Sequence, residues 1–196
     1  MKLAVRQMNR SGQALSNVSQ LPELLGMPSE LVKVAFRGTQ VQLLAAPLLG
    51  SLTSRPSAPM PVTDPLHLEL LSGSGEAPDW RRPVMVHAII EARVDAALAV
   101  RRASRWASYA ARVAVVPHAR LNDKARLEAQ LRGVWLVTAD EQGNLGVDTA
   151  GERGQVEGSA RGLPHRLLDE LAWAALQAVG VSTEAAAKPS ATTQVP

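Results

Sequence analysis

The sequence predicts an α/β fold in which a mixed β-sheet is flanked by helices, with a small helical extension at the N-terminus. Two stretches, Val84–Ala92 and residues 134–138, are almost continuously apolar, as expected of strands buried on both faces. The alanine-rich residues 95–111 between them predict a helix, with Asp95 at its start. Strands that alternate with helices in this way are typical of parallel βαβ units.

The N-terminal residues 1–49 are predicted to form a mainly helical extension. Residues 21–25 and 29–36 fit two short helices, because Gly26 lies where a helix would stop and Pro28-Ser29-Glu30 suits a helix start. Residues 39–44 alternate only weakly and fit a strand or more helix. A helix-turn-helix across residues 18–44 is one interpretation. Two ordinary packed helices are the favoured one.

A linker and a larger core domain are predicted to follow. Residues 50–63 are rich in proline, serine and threonine, which excludes regular structure through them. Residues 64–180 form the core. Leucine alternates with polar residues over 66–71, which predicts a strand that pairs with Val84–Ala92 in an antiparallel hairpin.

The rest of the core is predicted from local signals in chain order. A strand over 113–116 ends at Pro117, and a helix over 123–131 is capped by Gly133. A buried strand over 134–138, a turn over 140–144, an edge strand over 145–148 and an amphipathic helix over 163–179 follow. The tail, 181–196, is predicted to be disordered. The order is helices and then β–β–α–β–α–β–β–α.

Composition excludes several kinds of chemistry. The chain has no cysteine, so disulfides and thiolate metal sites are excluded. Its four histidines show no ligand spacing, and the glycine motifs of nucleotide-binding enzymes are missing. No apolar run approaches the roughly 20 residues that a membrane span needs. We therefore expect a cytoplasmic protein with no membrane partner and no cofactor.

Basic residues are concentrated in the middle of the chain. The net charge is +3, yet residues 81–132 hold eleven basic and four acidic residues, a net of +7. A basic middle in a mildly acidic chain is typical of a polyanion-binding surface. The alternative is a solvated helix surface whose arginines lie over apolar neighbours.

The predicted helix over 95–111 places several of these arginines on one side. At about 100° per residue, Arg101, Arg105 and Arg112 form a stripe roughly 17 Å long. Arg102, Trp106 and Tyr109 lie on an adjacent side of the same helix. The two aromatic residues fit packing under the helix. The alternative is stacking on an exposed base.

The stretch VHAIIEARVDAALAVRRASRWASYAARVAVVP at residues 86–117 resembles the PD-(D/E)XK (restriction-endonuclease-like) superfamily, and within it the MmcB-like DNA-repair proteins. Glu91 and Arg93 match the family's E-x-K at a strand end. Arg102 stands where a glutamine is usual, and Trp106 where an aromatic is usual. The resemblance covers residues 64–180. It implies a nuclease-like fold in which a glutamate and an aspartate hold Mg²⁺ for phosphodiester hydrolysis.

The departures from that pattern predict a degenerate site. Arg93 replaces the lysine, and arginine stays protonated and forks onto phosphate more readily than it activates water. Asp64 stands where the resemblance implies the second metal ligand, but Pro65 follows it directly, and Asp79 is an alternative in a loop. Glu91 is either a remnant metal ligand or a strand-end carboxylate that pairs with an arginine such as Arg93.

The sequence therefore predicts a DNA-binding protein of DNA repair or the damage response, with low sequence specificity and an inactive remnant site. The remnant site comprises Glu91, Arg93 and Asp64. The predicted DNA contacts are Arg93, Arg101, Arg102, Arg105, Trp106 and Arg112. The alternatives are an Mg²⁺-dependent endonuclease with an E-x-R site and a protein–protein interaction module. Single- or double-stranded DNA and a homodimer are both compatible with the sequence.

Overall fold

A computed structural model describes residues 18–52, 60–73, 81–154 and 162–181. The chain divides into two compact units: residues 1–46 with 86–160, and residues 47–85 with 161–196. The helices are α1 (Leu21–Leu24), α2 (Leu49–Leu52), α3 (Pro65–Gly73), α4 (Ala96–Ser104), α5 (Asp123–Leu131) and α6 (Leu163–Ala178). The strands are β1 (Glu30–Phe36), β2 (Thr39–Pro47), β3 (Val84–Ala92), β4 (Ala111–Pro117), β5 (Trp135–Ala139) and β6 (Leu145–Thr149).

The six strands form one mixed sheet in the order in which they occur along the chain. Strands β1 and β2 form an antiparallel hairpin, β3, β4 and β5 run parallel, and β6 returns antiparallel to β5. The predicted α/β class, with a mixed sheet flanked by helices and a short helical piece near the N-terminus, is confirmed. Within the described residues, no helix is both long and apolar enough to cross a membrane.

Each face of the sheet in the first unit carries its own apolar cluster. On one face, Val18, Leu21 and Met27 from the N-terminal helical piece pack on Ala88, Ile90 and their neighbours in β4 and β5. On the other face, α4 and α5 meet the sheet mainly through small side chains. That second cluster comprises Ala96, Ala99, Val100, Ala103, Ala114, Val116, Ala125, Ala129, Val134 and Leu136.

The predicted helix over residues 29–36 is wrong, because strand β1 occupies Glu30–Phe36. Its apolar residues alternate, with Val32, Val34 and Phe36 buried and Lys33 exposed. Short apolar segments are ambiguous between helix and strand, and pairing along β2 decides in favour of the strand. A helix-turn-helix across residues 18–44 is therefore excluded, since its second helix is a strand.

The predicted strand over residues 66–71 is also wrong, because helix α3 covers Pro65–Gly73. Pro65 opens the helix, a position that its fixed φ suits, and Asp64 Oδ1 accepts a hydrogen bond from the Leu66 amide at 3.2 Å. The leucine alternation has no strand counterpart, since Leu68 is buried whereas Leu66 and Leu70 are exposed. The predicted antiparallel hairpin between residues 66–71 and β3 is therefore wrong as well.

The helix predicted over residues 95–111 ends at Ser104, and β4 already begins at Ala111. Asp95 caps the helix as expected, accepting a hydrogen bond from the Leu98 amide at 2.8 Å. The predictions for α5, β5, β6 and α6 are confirmed to within a residue at each end. Helix α2 covers residues 50–52 of the predicted linker, so that part is not irregular. Residues 53–59 of the linker, Asp79 and the tail from residue 182 onward lie outside the described residues.

The second unit holds two buried carboxylates on α6. Asp169 pairs with Arg82, with 3.0 Å between its Oδ2 and the arginine Nε, and both side chains are largely buried. Glu170 accepts a hydrogen bond from the Val62 amide at 2.9 Å. Buried carboxylates need such partners, because burial of an unpaired charge costs several kcal/mol. These contacts tie the segments before β3 to the closing helix.

The segment after β6 passes very close to the starts of β4 and β5. A Cβ atom on Gly154 would overlap the backbone of Ala110 and Ala111, and one on Gly151 would overlap Val134 and Trp135. The Glu152 amide donates to the Gly133 carbonyl at 2.9 Å, which holds the segment in place. Glycine is required at both positions because only a residue without Cβ allows this approach.

We predict that Gly154→Ala lowers the free energy of unfolding by about 1–3 kcal/mol, the range for overpacked sites. Gly146→Ala is the matched control, because a Cβ atom there meets no atom within 4 Å. Urea unfolding of both variants measures the difference. Equal stability of the two variants would contradict the close approach.

Candidate nucleic-acid interface

Glu91 lies at the end of β3 between a cation and an aromatic N–H group. Its Oε2 is 3.6 Å from the Arg93 Nε, and its Oε1 accepts a hydrogen bond from the Trp106 Nε1 at 3.5 Å. The Glu91 side chain is 12% exposed and that of Arg93 is 43% exposed. Of the two interpretations of Glu91, the strand-end pairing with Arg93 is the contact that the structure contains, and the Arg93 side chain stays partly exposed.

Trp106 belongs to an aromatic cluster that links the end of α4 to the β1–β2 hairpin. Its ring centroid is 6.2 Å from that of Phe36 and 5.8 Å from that of Tyr109. Phe36 and Tyr109 meet edge to face at 5.7 Å. Tyr109 is 8% exposed. Both aromatic residues are therefore packed, but they lie beyond the end of α4 and pack on Phe36 of the hairpin and not under the helix as predicted.

Arg37 extends this cluster with a second cation. Its guanidinium carbon lies 5.7 Å from the Phe36 ring centroid, within the range of a cation–π interaction. Arg37 and Gly38 form the two-residue hairpin turn, with φ values of 49° and 70°. A left-handed φ costs a residue with a side chain roughly 1–2 kcal/mol. Successive contacts thus connect Arg93, Glu91, Trp106, Phe36 and Arg37.

A pocket of about 500 Å³ adjoins the Arg93 end of this path. Lys33, Gln40, Gln42, Ile90, Glu91 and Arg93 are among its lining residues. The amide oxygen of Gln42 is buried and accepts no hydrogen bond from the described residues. Two cations and two amides can hold a phosphate or a hydrogen-bonding sugar or base edge.

The residues present do not fit a Mg²⁺ site. A magnesium ion in a protein is usually held by one or two carboxylates, with waters completing an octahedron. Glu91 is the pocket's one acidic lining residue, and Arg93 already pairs with it. Asp64 lies at the start of α3, where its carboxylate accepts a hydrogen bond from the Leu66 amide. The described ranges contain no group of three or more His, Asp or Glu side chains placed to hold a metal.

The predicted stripe of Arg101, Arg105 and Arg112 does not form. Arg112 lies on β4, is 8% exposed and pairs with Glu152. The helix ends before Arg105, so 3.6-residue periodicity does not extend from Arg101 to Arg112. Arg112 is thus removed from the set of predicted DNA contacts.

The other predicted arginines are placed differently from one another. Arg105 is exposed and directly precedes Trp106, and Arg102 is half-buried in the last turn of α4. Arg101 is exposed and donates to the Ala97 carbonyl at 3.2 Å. It lines a groove with residues of α5. Of the predicted DNA contacts, Arg93 and Trp106 lie together because both contact Glu91. Arg105 joins them because it directly precedes Trp106 in the chain.

The sequence places Lys33 and Arg37 at phosphates only in the helix-turn-helix interpretation, and the predicted DNA contacts omit them, because residues 29–36 are predicted to be helical. The signal was present in ELVKVAF-RG-TQVQLLA, where two alternating segments flank a two-residue turn that contains glycine. Lys33, Arg37, Arg93 and Arg105 are hereafter the basic edge. Arg93 is the one member with an acidic partner among the described residues.

We predict that Arg112→Met leaves DNA affinity unchanged and alters stability by less than about 1.5 kcal/mol. The substitution removes a buried guanidinium whose Nε has no partner in the described part of the chain. Its partner Glu152 is 72% exposed, so the substitution returns that carboxylate to water and leaves no unpaired charge buried. Fluorescence anisotropy with labelled DNA and urea unfolding provide the two measurements. Weakened DNA binding in a folded variant would return Arg112 to the interface.

No protein-family model matches this chain, and no curated protein or solved structure matches it either. The resemblance of residues 64–180 to the PD-(D/E)XK superfamily therefore stays a prediction. The function has to be inferred from the site itself. The site presents exposed cations next to one carboxylate, that of Glu91, which already contacts Arg93 and Trp106.

Proposed function

We propose that the protein binds DNA through the basic edge, with little sequence preference, and does not cleave it. The observation that carries the proposal is the connected path from Arg93 through Glu91, Trp106 and Phe36 to Arg37. It fixes two exposed guanidinium groups around a packed aromatic centre. Lysine and arginine side chains held in this way bind phosphates, which supply most non-specific affinity for DNA.

The conformation of Arg37 supports a role for its charge. A glycine or an asparagine would occupy the left-handed position of this turn at lower cost. An arginine placed there despite that cost indicates that the guanidinium has a use at this edge. Lys33, Arg37 and Arg105 form no ion pair within the described residues, so their charges remain available to an anionic ligand.

The arrangement supports binding over catalysis. Hydrolysis of a phosphodiester by a nuclease-like site needs a metal held beside the scissile phosphate. Here the carboxylate that would hold it is engaged by Arg93 and Trp106. The resemblance carried by residues 86–117 supports a role in DNA repair or the damage response, and the proposal includes a cytoplasmic location. A working endonuclease remains the alternative.

We predict that the triple variant Arg37→Gln, Arg93→Gln, Arg105→Gln binds all DNA sequences more weakly. It should also reduce the slope of log affinity against log salt by about two to three, since each phosphate contact contributes about 0.9 on duplex DNA. Arg81→Gln, Arg120→Gln, Arg153→Gln is the charge-matched control, because these arginines are exposed and lie outside the basic edge. Anisotropy titrations at several salt concentrations provide the slopes. Equal slopes for the two triple variants would refute the interface.

We predict that Glu91→Gln binds DNA about two- to fivefold more tightly, because it removes a negative charge near the phosphates and releases Arg93. A charge pair at about 4 Å is worth roughly 1 kcal/mol in water, which sets this range. Cleavage of labelled DNA is measured in parallel with and without Mg²⁺. Mg²⁺-dependent cleavage by the wild type that Glu91→Gln abolishes would establish the endonuclease instead.

A further inference from the structure

A groove between α4 and α5 lies on the solvent side of the first unit. It encloses about 560 Å³. Its lining residues are Ala97 and Arg101 from α4, Lys124, Leu127, Glu128 and Leu131 from α5, and Arg132, which caps α5. These positions are spaced by three or four residues on each helix, so one side of each helix faces the groove.

The leucines of this groove do not belong to the buried core. Helix α5 meets the sheet through Ala125 and Ala129, both fully buried. Leu127 and Leu131, with larger side chains, are 57% and 78% exposed. An amphipathic surface helix usually buries its large apolar residues and exposes small or polar ones. Two leucines one turn apart on the exposed side instead indicate an interaction surface.

Cations line the same groove and have few internal partners. Neither Arg101 nor Lys124 forms an ion pair with an acidic residue in the described ranges. Glu128, the groove's acidic residue, forms an ion pair with Arg132, with 3.1 Å between the Glu128 Oε1 and the Arg132 Nε. The groove therefore combines exposed leucines with a net positive charge. A ligand that fits it must be apolar on one side and acidic on the other.

We propose that this groove binds an acidic amphipathic helix of a partner protein. Apolar residues spaced by three or four along that helix would pack on Leu127 and Leu131, and its flanking carboxylates would meet Arg101 and Lys124. A second copy of this chain fits less well, because a two-fold contact would place the same cations against each other. DNA would pair with the cations and leave both leucines without an apolar partner.

The test uses the full chain and a fluorescein-labelled synthetic helix with leucines along one side and glutamates along the other. A peptide of identical composition in scrambled order is the control for charge alone. We expect anisotropy to show saturable binding of the patterned peptide, about tenfold tighter than the scrambled one. The double variant Leu127→Ser, Leu131→Ser should weaken it about tenfold. Leu98→Ser, at an exposed position outside the groove lining, should not.

Electrostatic and DNA controls separate the two surfaces. Arg101→Glu with Lys124→Glu should weaken the patterned peptide more than Arg120→Glu with Arg153→Glu, which leaves the rim intact. The leucine double variant should retain wild-type DNA affinity. The proposal is overturned if the patterned peptide does not bind, or if the leucine variant binds it as tightly as the wild type does. It is also overturned if the binding of labelled DNA depends on these leucines. A wild-type dimer that the leucine variant dissociates would also overturn it, in favour of a second copy.

Discussion

Strand β4 is buried along its whole length from Ala111 to Pro117. This burial determines which side chains of the covering helices of the first unit face solvent. Parallel neighbours cover both of its edges, so its faces must be closed by helices. On one face, α4 and α5 approach through alanines. A helix that reaches a sheet through methyl groups lies close to it, and its longer side chains must point away. The leucines and arginines on the outer side follow from that constraint.

Two members of the basic edge follow the ends of elements in this unit: Arg93 follows β3, and Arg105 follows α4. Glu91 lies near the end of β3 and is largely buried, so its carboxylate requires compensation. Arg93 and the Trp106 indole supply it from two directions. The ion pair also orients Arg93, whose side chain stays 43% exposed. A carboxylate that serves to orient a cation has a structural explanation without a metal.

Local pattern was sufficient where a segment's own periodicity determines its structure. Helix α5 was predicted with its bounds, and Gly133, which follows the capping Arg132, has the left-handed φ of 59° that such a position favours. Residues 29–36 and 66–71 failed because period-two and period-3.6 patterns overlap in short apolar segments. For 29–36 the partner strand decides the outcome. For 66–71 the proline at the first helical position decides it.

The site was predicted only in part because its contacts are distant in the sequence. The helix after Asp95 was extended to residue 111 on alanine content, and the stripe through Arg112 depended on that length. Trp106 and Tyr109 instead leave the helix and pack on Phe36, about seventy residues earlier. No local pattern contains that contact. The contact between Glu91 and Arg93 was predictable because both lie at one strand end, two residues apart.

Net charge alone overstates how many cations are free to meet a ligand, because several of the arginines serve the fold. Arg82 neutralises Asp169 in the second unit, and Arg112 is buried against Glu152. Arg126 joins α5 to β6, and hydrogen bonds from its guanidinium to Asp123 and Asp148 raise its pKa. A cation that is paired with a carboxylate attracts a ligand less than an unpaired one, since its partner cancels part of its field. Lys33, Arg37 and Arg105 of the basic edge, and Arg101 and Lys124 of the groove, form no ion pair within the described residues and are therefore the informative cations.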